Sequence, residues 1–178
     1  MAPKSVAFPM LIGASLLDNQ PVNVLDVVPR YKATLVSLAT NQTGFVRHLL
    51  LQADHFLLTL SPQDQIKTFQ NAFREAFDGT STCHAIQVNL VERSVLGLMR
   101  PLLRYGLRSA ITDKKVQAGT LLRFGDATLV RKHLGMSNSM CGFNYLVDAN
   151  GRVRWVSTGQ LTPSEAATMV SLTKELIQ

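Results

Sequence analysis

The sequence is poor in the residues that carry covalent and metal chemistry. It has two cysteines, Cys83 and Cys141, and four histidines in 178 residues. The cysteines form no Cys-x-x-Cys pair, and two cannot build a disulfide framework or a zinc site. His48 and His55 lie about two helical turns apart, whereas a ligand pair on one helix needs i, i+4 spacing. His84 and His133 have no carboxylate or cysteine pattern nearby. No glycine-rich phosphate loop and no Ser/His/Asp constellation is present. No catalytic residue, metal ligand or cofactor is therefore expected. Long apolar runs are missing as well. Leu49-Leu50-Leu51 is broken by Gln52, Asp54 and His55, and no window approaches the roughly 20 apolar residues of a membrane span. The expectation is a soluble or peripheral protein, with cysteine usage that fits a reducing compartment. The start, M-A-P-K-S-V-A-F-P-M, has one lysine, and no arginine precedes Arg30. It makes a poor signal peptide and at best a very short mitochondrial presequence.

What is present is a core and a local charge. Hydrophobic residues make up 46% of the chain, enough for one domain with a sizeable interior. We expect an irregular N-terminal arm over 1–12 and one domain over 13–178. The formal charge is +6, and it is concentrated. Residues 93–132 hold nine of the 18 basic residues but only Asp113 and Asp126 of the 12 acidic ones. The rest of the chain is close to neutral. A local excess of this kind suits an anionic surface: lipid, acidic protein or nucleic acid.

Asp18-Asn19-Gln20-Pro21 is a turn signal between two short apolar pieces. Thr34–Leu38 is a compact strand rich in β-formers. A helical stretch follows to about Leu60. Ser61-Pro62-Gln63-Asp64 then reads as a fresh helix start, with Ser61 as cap, Pro62 in the first turn and Asp64 at the positive end. Ile66, Phe69, Ala72, Phe73, Ala76 and Phe77 follow at helical spacing, an apolar core face. His84–Leu90 alternates as a second strand. After the basic insert, Gly142-Phe143-Asn144-Tyr145-Leu146-Val147-Asp148 and Val153-Arg154-Trp155-Val156-Ser157 read as a hairpin around Asn150-Gly151. Thr162, Pro163 and Glu165 form a capping box ahead of a last helix with Met169, Leu172, Leu176 and Ile177 inward. This order, β-α-β-insert-β-β-α, resembles the thioredoxin-like α/β core, with a helical basic insert at about 93–134. The expected strand order is 84–90, 34–38, 143–148, 153–157.

In a thioredoxin-like fold the redox motif follows the first core strand, where helix amides stabilise a thiolate. Here that place reads Thr40-Asn41-Gln42-Thr43-Gly44. Hydroxyl and amide side chains cannot exchange disulfides, nor supply soft metal ligands. The proline expected before the third core strand is also missing, replaced by Met140-Cys141-Gly142. Cys141 is either a small apolar residue or a lone thiol beside the vacated site.

The insert holds a second pattern. At about 100° per residue, Arg93, Arg100, Arg104 and Arg108 fall within an arc of about 80°. Leu96, Leu98, Met99, Leu102, Leu103 and Leu107 occupy a wider opposite face, and Pro101 is a candidate kink. This is an ordinary solvated helix face or a docking helix for an anionic membrane surface or protein. RNA is disfavoured, since Tyr105 is the helix's one residue able to stack on a base.

Leu134-Gly135-Met136-Ser137-Asn138, Gly142–Asp148, Arg152-Val153-Arg154-Trp155 and Gly159, with Glu165 beyond, resemble the mitochondrial F-type ATP synthase assembly factor ten family, a thioredoxin-like family without redox cysteines. The likeness extends over roughly 13–177 and is specific in the last third; the leucine- and arginine-rich insert around 100–108 is a weaker match. The resemblance implies a non-catalytic chaperone for the ATP synthase membrane sector, acting at the step of subunit a and the c-ring from the matrix side of the inner membrane. Asn138, Gly142, Tyr145, Asp148, Arg154 and Trp155 are then motif residues. Arg154 and Trp155 join Arg93, Arg100, Arg104 and Arg108 as candidates for contact with a partner or membrane. Two alternatives stay open: a redox enzyme using Cys141 alone, and a structural component of a mitochondrial ribonucleoprotein.

Cys83 and Cys141 precede strands expected to run in opposite directions, which separates them by a strand length of roughly 15–20 Å. A disulfide needs Cα atoms within about 7 Å. Peptide mapping of the non-reduced protein should yield no 83–141 linked peptide. Its recovery would overturn the strand directions.

Overall fold

The computed structural model describes residues 6–40, 62–92 and 100–178. Ala33-Thr34-Leu35-Val36-Ser37-Leu38-Ala39-Thr40 forms a strand in which every residue is buried. A strand closed on both faces belongs at the centre of a covered sheet. In chain order the strands are β1 (Ile12–Ser15), β2 (Pro21–Asn23), β3 (Ala33–Thr40), β4 (Cys83–Val91), β5 (Thr120–Phe124), β6 (Phe143–Asp148) and β7 (Val153–Thr158). They lie in the order β2-β1-β5-β4-β3-β6-β7. β3, β4 and β5 are parallel, while β6 and β7 run as an antiparallel hairpin against β3. The expected four-stranded core is present in the expected order.

The helices are α1 (Val24–Val27), α2 (Pro62–Phe77), α3 (Arg100–Ala110), α4 (Lys114–Ala118), α5 (Thr128–His133) and α6 (Pro163–Ile177). α2 and α6 cover one face of the sheet. There Phe69, Phe73, Phe77 and Met169 pack on Ala33, Leu35, Ala85 and Leu146. The capping box of α6 forms as expected, with Thr162 and Glu165 each accepting the other's backbone amide. The other face carries Val36, Leu38, Ile86, Val88, Leu121, Phe143, Tyr145 and Val147. It is covered by short pieces: Phe8 and Leu11, Val24 and Val28, then Val130, Leu134 and Met136. Ser61 and the helical stretch expected to about Leu60 lie outside the described residues.

Three features differ from the sequence reading or add to it. First, the insert is not all helical: Thr120–Phe124 enters the sheet beside β4. Gly119 permits this approach, because a Cβ there would stand 2.8 Å from the Ala85 carbonyl oxygen. Second, the apolar pieces around Asp18–Pro21 pair as the β1–β2 hairpin. Asn19 takes a φ of 68° and Asp18 accepts the Gln20 amide. Third, a register shift between Leu146 and Val147 puts Val153 and Trp155 on opposite faces. Val153 packs with Tyr145 and Val147, while Trp155 packs with Phe69. A bulge re-aims every side chain beyond it.

Residues 6–11 are built into the domain. Ala7 bridges Arg152, Phe8 donates its amide to Gly151, and the Phe8 ring meets Tyr145 edge-on at 6.0 Å. Leu11 is fully buried. Leu11→Ala should lower unfolding stability by about 2–5 kcal/mol, the usual range for a buried leucine that leaves a cavity. Val6→Ala, at a half-exposed position, should change it by no more than about 0.5 kcal/mol. Urea denaturation of the two variants checks the contrast.

Candidate functional site

The end of the sheet where β3 finishes is the place a thioredoxin-like fold keeps its chemistry. Asn41–Gly44 lie outside the described residues. The described helix that meets this end is α2, and Pro62-Gln63-Asp64-Gln65 opens it without sulfur or imidazole. Gly142 fixes the contact. Its amide donates to Gln65 Oε1 at 2.8 Å. A Cβ on Gly142 would stand 2.5 Å from Ile66 Cγ2 and 2.8 Å from the Pro62 carbonyl oxygen. Thr40 Oγ1 donates to the Ser139 carbonyl, tying β3 to the loop before β6. Asn138 Oδ1 accepts the Met140 amide at 2.9 Å, and its Nδ2 lies 3.2 Å from Cys141 Sγ. Cys141 is a half-buried free thiol. Among the described residues there is no cis peptide bond. Gln65 and the Thr40–Ser139 link had no signal in the sequence. Both are long-range contacts of ordinary polar residues.

The motif residues build the hairpin. Tyr145 is buried, and its hydroxyl donates to the Leu134 carbonyl at 3.0 Å. Asp148 Oδ1 accepts the amides of Asn150 and Arg152, each at 2.9 Å. This is the local bond by which aspartate organises a turn. Of Asn150 and Gly151, Gly151 alone takes positive φ, at 71°. Arg154 Nε donates to Asp148 Oδ2 at 2.7 Å across the bulge. Trp155 is half-buried among the aromatic residues under α2.

The basic helix sits differently from its helical wheel. Arg93 lies outside the described residues. Arg100 lays its guanidinium 4.8 Å from the centre of the Phe124 ring. Arg104 is half-buried and donates to the Leu16 carbonyl at 3.2 Å. Leu103 reaches the core, whereas Leu102 and Tyr105 are 46% and 72% exposed. Among the described residues, Arg104 therefore turns inward and Leu102 outward, so the arginine and leucine faces are not cleanly opposed. α3 docks through Leu103 and through the guanidinium groups of Arg100 and Arg104, one on the Phe124 ring and one on the Leu16 carbonyl. Leu102, Tyr105 and Arg108 face out, with Lys114 and Lys115 exposed on the neighbouring α4. Pro101 is the second residue of the described helix, and the residues before Arg100, against which a kink would be judged, lie outside the described residues.

Among the described residues, no three potential ligands gather into a metal site. His84 stacks on Tyr31 at 4.5 Å, and burial, helped by the Arg74 charge, lowers its pKa. His133 Nε2 lies 2.9 Å from the Ala7 carbonyl. His48 and His55 lie outside the described residues. No described helix is long and apolar enough to cross a membrane.

Solved structures share this architecture. A DsbF homologue from Corynebacterium diphtheriae superimposes with a TM-score of 0.59 at 10% identity, covering 98% of this chain and 89% of that one. A thiol:disulfide interchange protein of the thioredoxin family from Chlorobium tepidum gives 0.54 at 11% identity, covering 97% and 98%. They define the class as a thioredoxin-like fold, and at such identity they define the fold alone. The chain itself belongs to the ATP10 protein family, whose profile matches residues 1–176. It is 26% identical over 174 residues to the Saccharomyces cerevisiae protein named mitochondrial ATPase complex subunit ATP10. That alignment covers 97% of this chain but 60% of the yeast protein, so the chain spans about three-fifths of that relative's length.

Burial pushes the Tyr145 phenol well above its ordinary value of 10.0. Its folded pKa lies above the unfolded one, so its contribution is complete below about pH 10 and is lost as pH rises further. Tyr145→Phe should cost about 1 kcal/mol at pH 7 for the missing hydrogen bond. It should also show a shallower fall in stability above pH 10 than the wild type. Urea titrations across that range measure both effects.

Proposed function

We propose that this chain is a non-catalytic assembly factor for the membrane sector of the mitochondrial ATP synthase. It acts at the step that joins subunit a to the c-ring, from the matrix side of the inner membrane. The observation that carries this reading is the family profile match over 1–176, on a fold whose described helix start carries no thiol. Disulfide exchange by a two-thiol mechanism needs a resolving partner. Cys83 cannot serve, because it pairs with Ala33 at one end of β3, while Cys141 lies past Phe143, which pairs with Leu38 near the other. The name of the yeast relative supports the mitochondrial ATPase complex as the setting.

Contact with the membrane falls to the outward side of α3 and to α4. Leu102 and Tyr105 offer an apolar edge, with Arg100, Arg108, Lys114 and Lys115 around it. This mixture suits the surface of an anionic leaflet. Arg93 and Arg104 extend the same basic segment, and Arg154 and Trp155 are the hairpin's contribution to a protein client. Among the described residues of α3 and α4, Tyr105 is the one ring able to stack on a base, which disfavours nucleic acid.

Depleting the protein should leave the soluble catalytic sector assembled but poorly coupled to the membrane sector, with subunit a lost. Native gels of mitochondrial membranes read this, and normal assembly after depletion would contradict the assignment. Replacing Arg100, Arg108, Lys114 and Lys115 with glutamine should weaken binding to cardiolipin-containing vesicles, by about 1 kcal/mol per residue at low salt. If the wild type ignores such vesicles, the basic segment meets a protein.

A further inference from the structure

The sheet face beneath α2 changes character between neighbouring rows. Ala85, Leu35, Leu146 and Trp155 cross β4, β3, β6 and β7 as one row, apolar throughout. Two residues along, Thr120, Gln87, Ser37, Asn144 and Ser157 cross five strands as one row, polar throughout. All five are buried. α2 lies over both rows. Phe69, Phe73 and Phe77 belong to the apolar seat. Gln70 belongs to the polar one: its Nε2 donates to Ser37 Oγ at 2.7 Å and to the Ile86 carbonyl at 3.1 Å. Ser37 in turn donates to Asn144 Oδ1 at 2.7 Å. Nearer the helix start, Gln63 Nε2 reaches Asn89 Oδ1 at 3.5 Å and Gln65 holds the Gly142 amide. Three amide atoms in this half lack partners: Gln70 Oε1, Asn89 Nδ2 and Asn144 Nδ2. Their residues are 1%, 0% and 0% exposed.

We propose that residues 63–70 of α2, latched through Gln65 and Gly142 to the loop 138–142, form a flap that opens on the sheet while the second half of the helix stays seated. Opening towards water replaces the bonds of Gln70 to Ser37 and Ile86 and of Gln63 to Asn89 with bonds to solvent, and gives the three orphaned atoms partners they lack when closed. The apolar cost falls on Ile66 and on Phe69, both fully buried, the latter against Trp155. Opening the second half would expose Phe73 and Phe77 at a comparable apolar cost while giving none of the three orphaned atoms a partner. The flap uncovers Ile66, Asn89 and Asn144 at the carboxyl ends of the parallel strands β3 and β4. That is the end at which open α/β sheets receive ligands.

Hydrogen exchange of the full chain across a denaturant series tests the flap. Amides 67–70 should exchange at least tenfold faster than 73–77, with a shallower dependence on denaturant. Gln70→Leu combined with Asn144→Leu should slow 67–70 by tenfold or more and leave 73–77 unchanged. Equal rates in the two halves would overturn the flap. So would a double variant that leaves their ratio as it was, since ordinary fraying does not depend on the seat. If the double variant does not fold, the wild-type series decides alone, and equally steep slopes for the two halves would mean that α2 opens as one piece.

Discussion

The arrangement rests on the close approach of α2 to the backbone at Gly142. A single methyl group there would collide with both Ile66 and the Pro62 carbonyl. With hydrogen in its place, the first turn of α2 closes against the entry to β6. The Gly142 amide finds Gln65, and the hairpin is set at a fixed height against β3. The neighbouring contacts depend on that height. Thr40 reaches Ser139, Tyr145 reaches the Leu134 carbonyl, and Asp148 gathers the turn at the far end of the same strand. In a redox member of the fold class, this junction is where a thiolate would be held. Its described part here holds the packing of Gly142 on Ile66 and Pro62 and the amide of Gln65.

The hairpin motif is thereby accounted for mainly by structure. Gly142, Tyr145, Asp148 and Arg154 each have an internal partner or a steric reason. Asn138 shapes the loop before β6, and Trp155 fills the apolar seat of α2. The outward side of α3 and α4 is the surface we propose for the membrane, with the exposed side of Arg154 and Trp155 left for a protein client. On the function proposed above, a sheet whose described helix start carries no thiol, beside a basic and partly apolar flank, would hold another protein at an anionic surface.

Much of the fold was legible because it rests on local rules. β3 and β4 announce themselves by β-forming residues, the hairpin by alternation around Gly151, and α6 by its capping box. β5 was not legible: Thr120-Leu121-Leu122-Arg123-Phe124 is short, carries an arginine and sits inside a charged insert. The seating of α3 was misread because a helical wheel ranks faces by composition. It cannot show that Leu103 enters the core while Leu102 stays outside, or that Arg104 turns inward to a carbonyl. The Gln65–Gly142 contact joins residues 77 apart, and the polar row exists only once five strands are in register. Such features come from tertiary pairing, which no local pattern encodes.

The central claim is that this thioredoxin-like chain serves ATP synthase assembly without thiol chemistry. The direct measurement is complementation by a thiol-free chain. Cells depleted of the protein receive either the wild type or a variant carrying Cys83→Ser and Cys141→Ser, and intact ATP synthase is quantified on native gels. The account predicts equal restoration by both. Restoration by the wild type, with failure of a double variant that folds and accumulates normally, would contradict it.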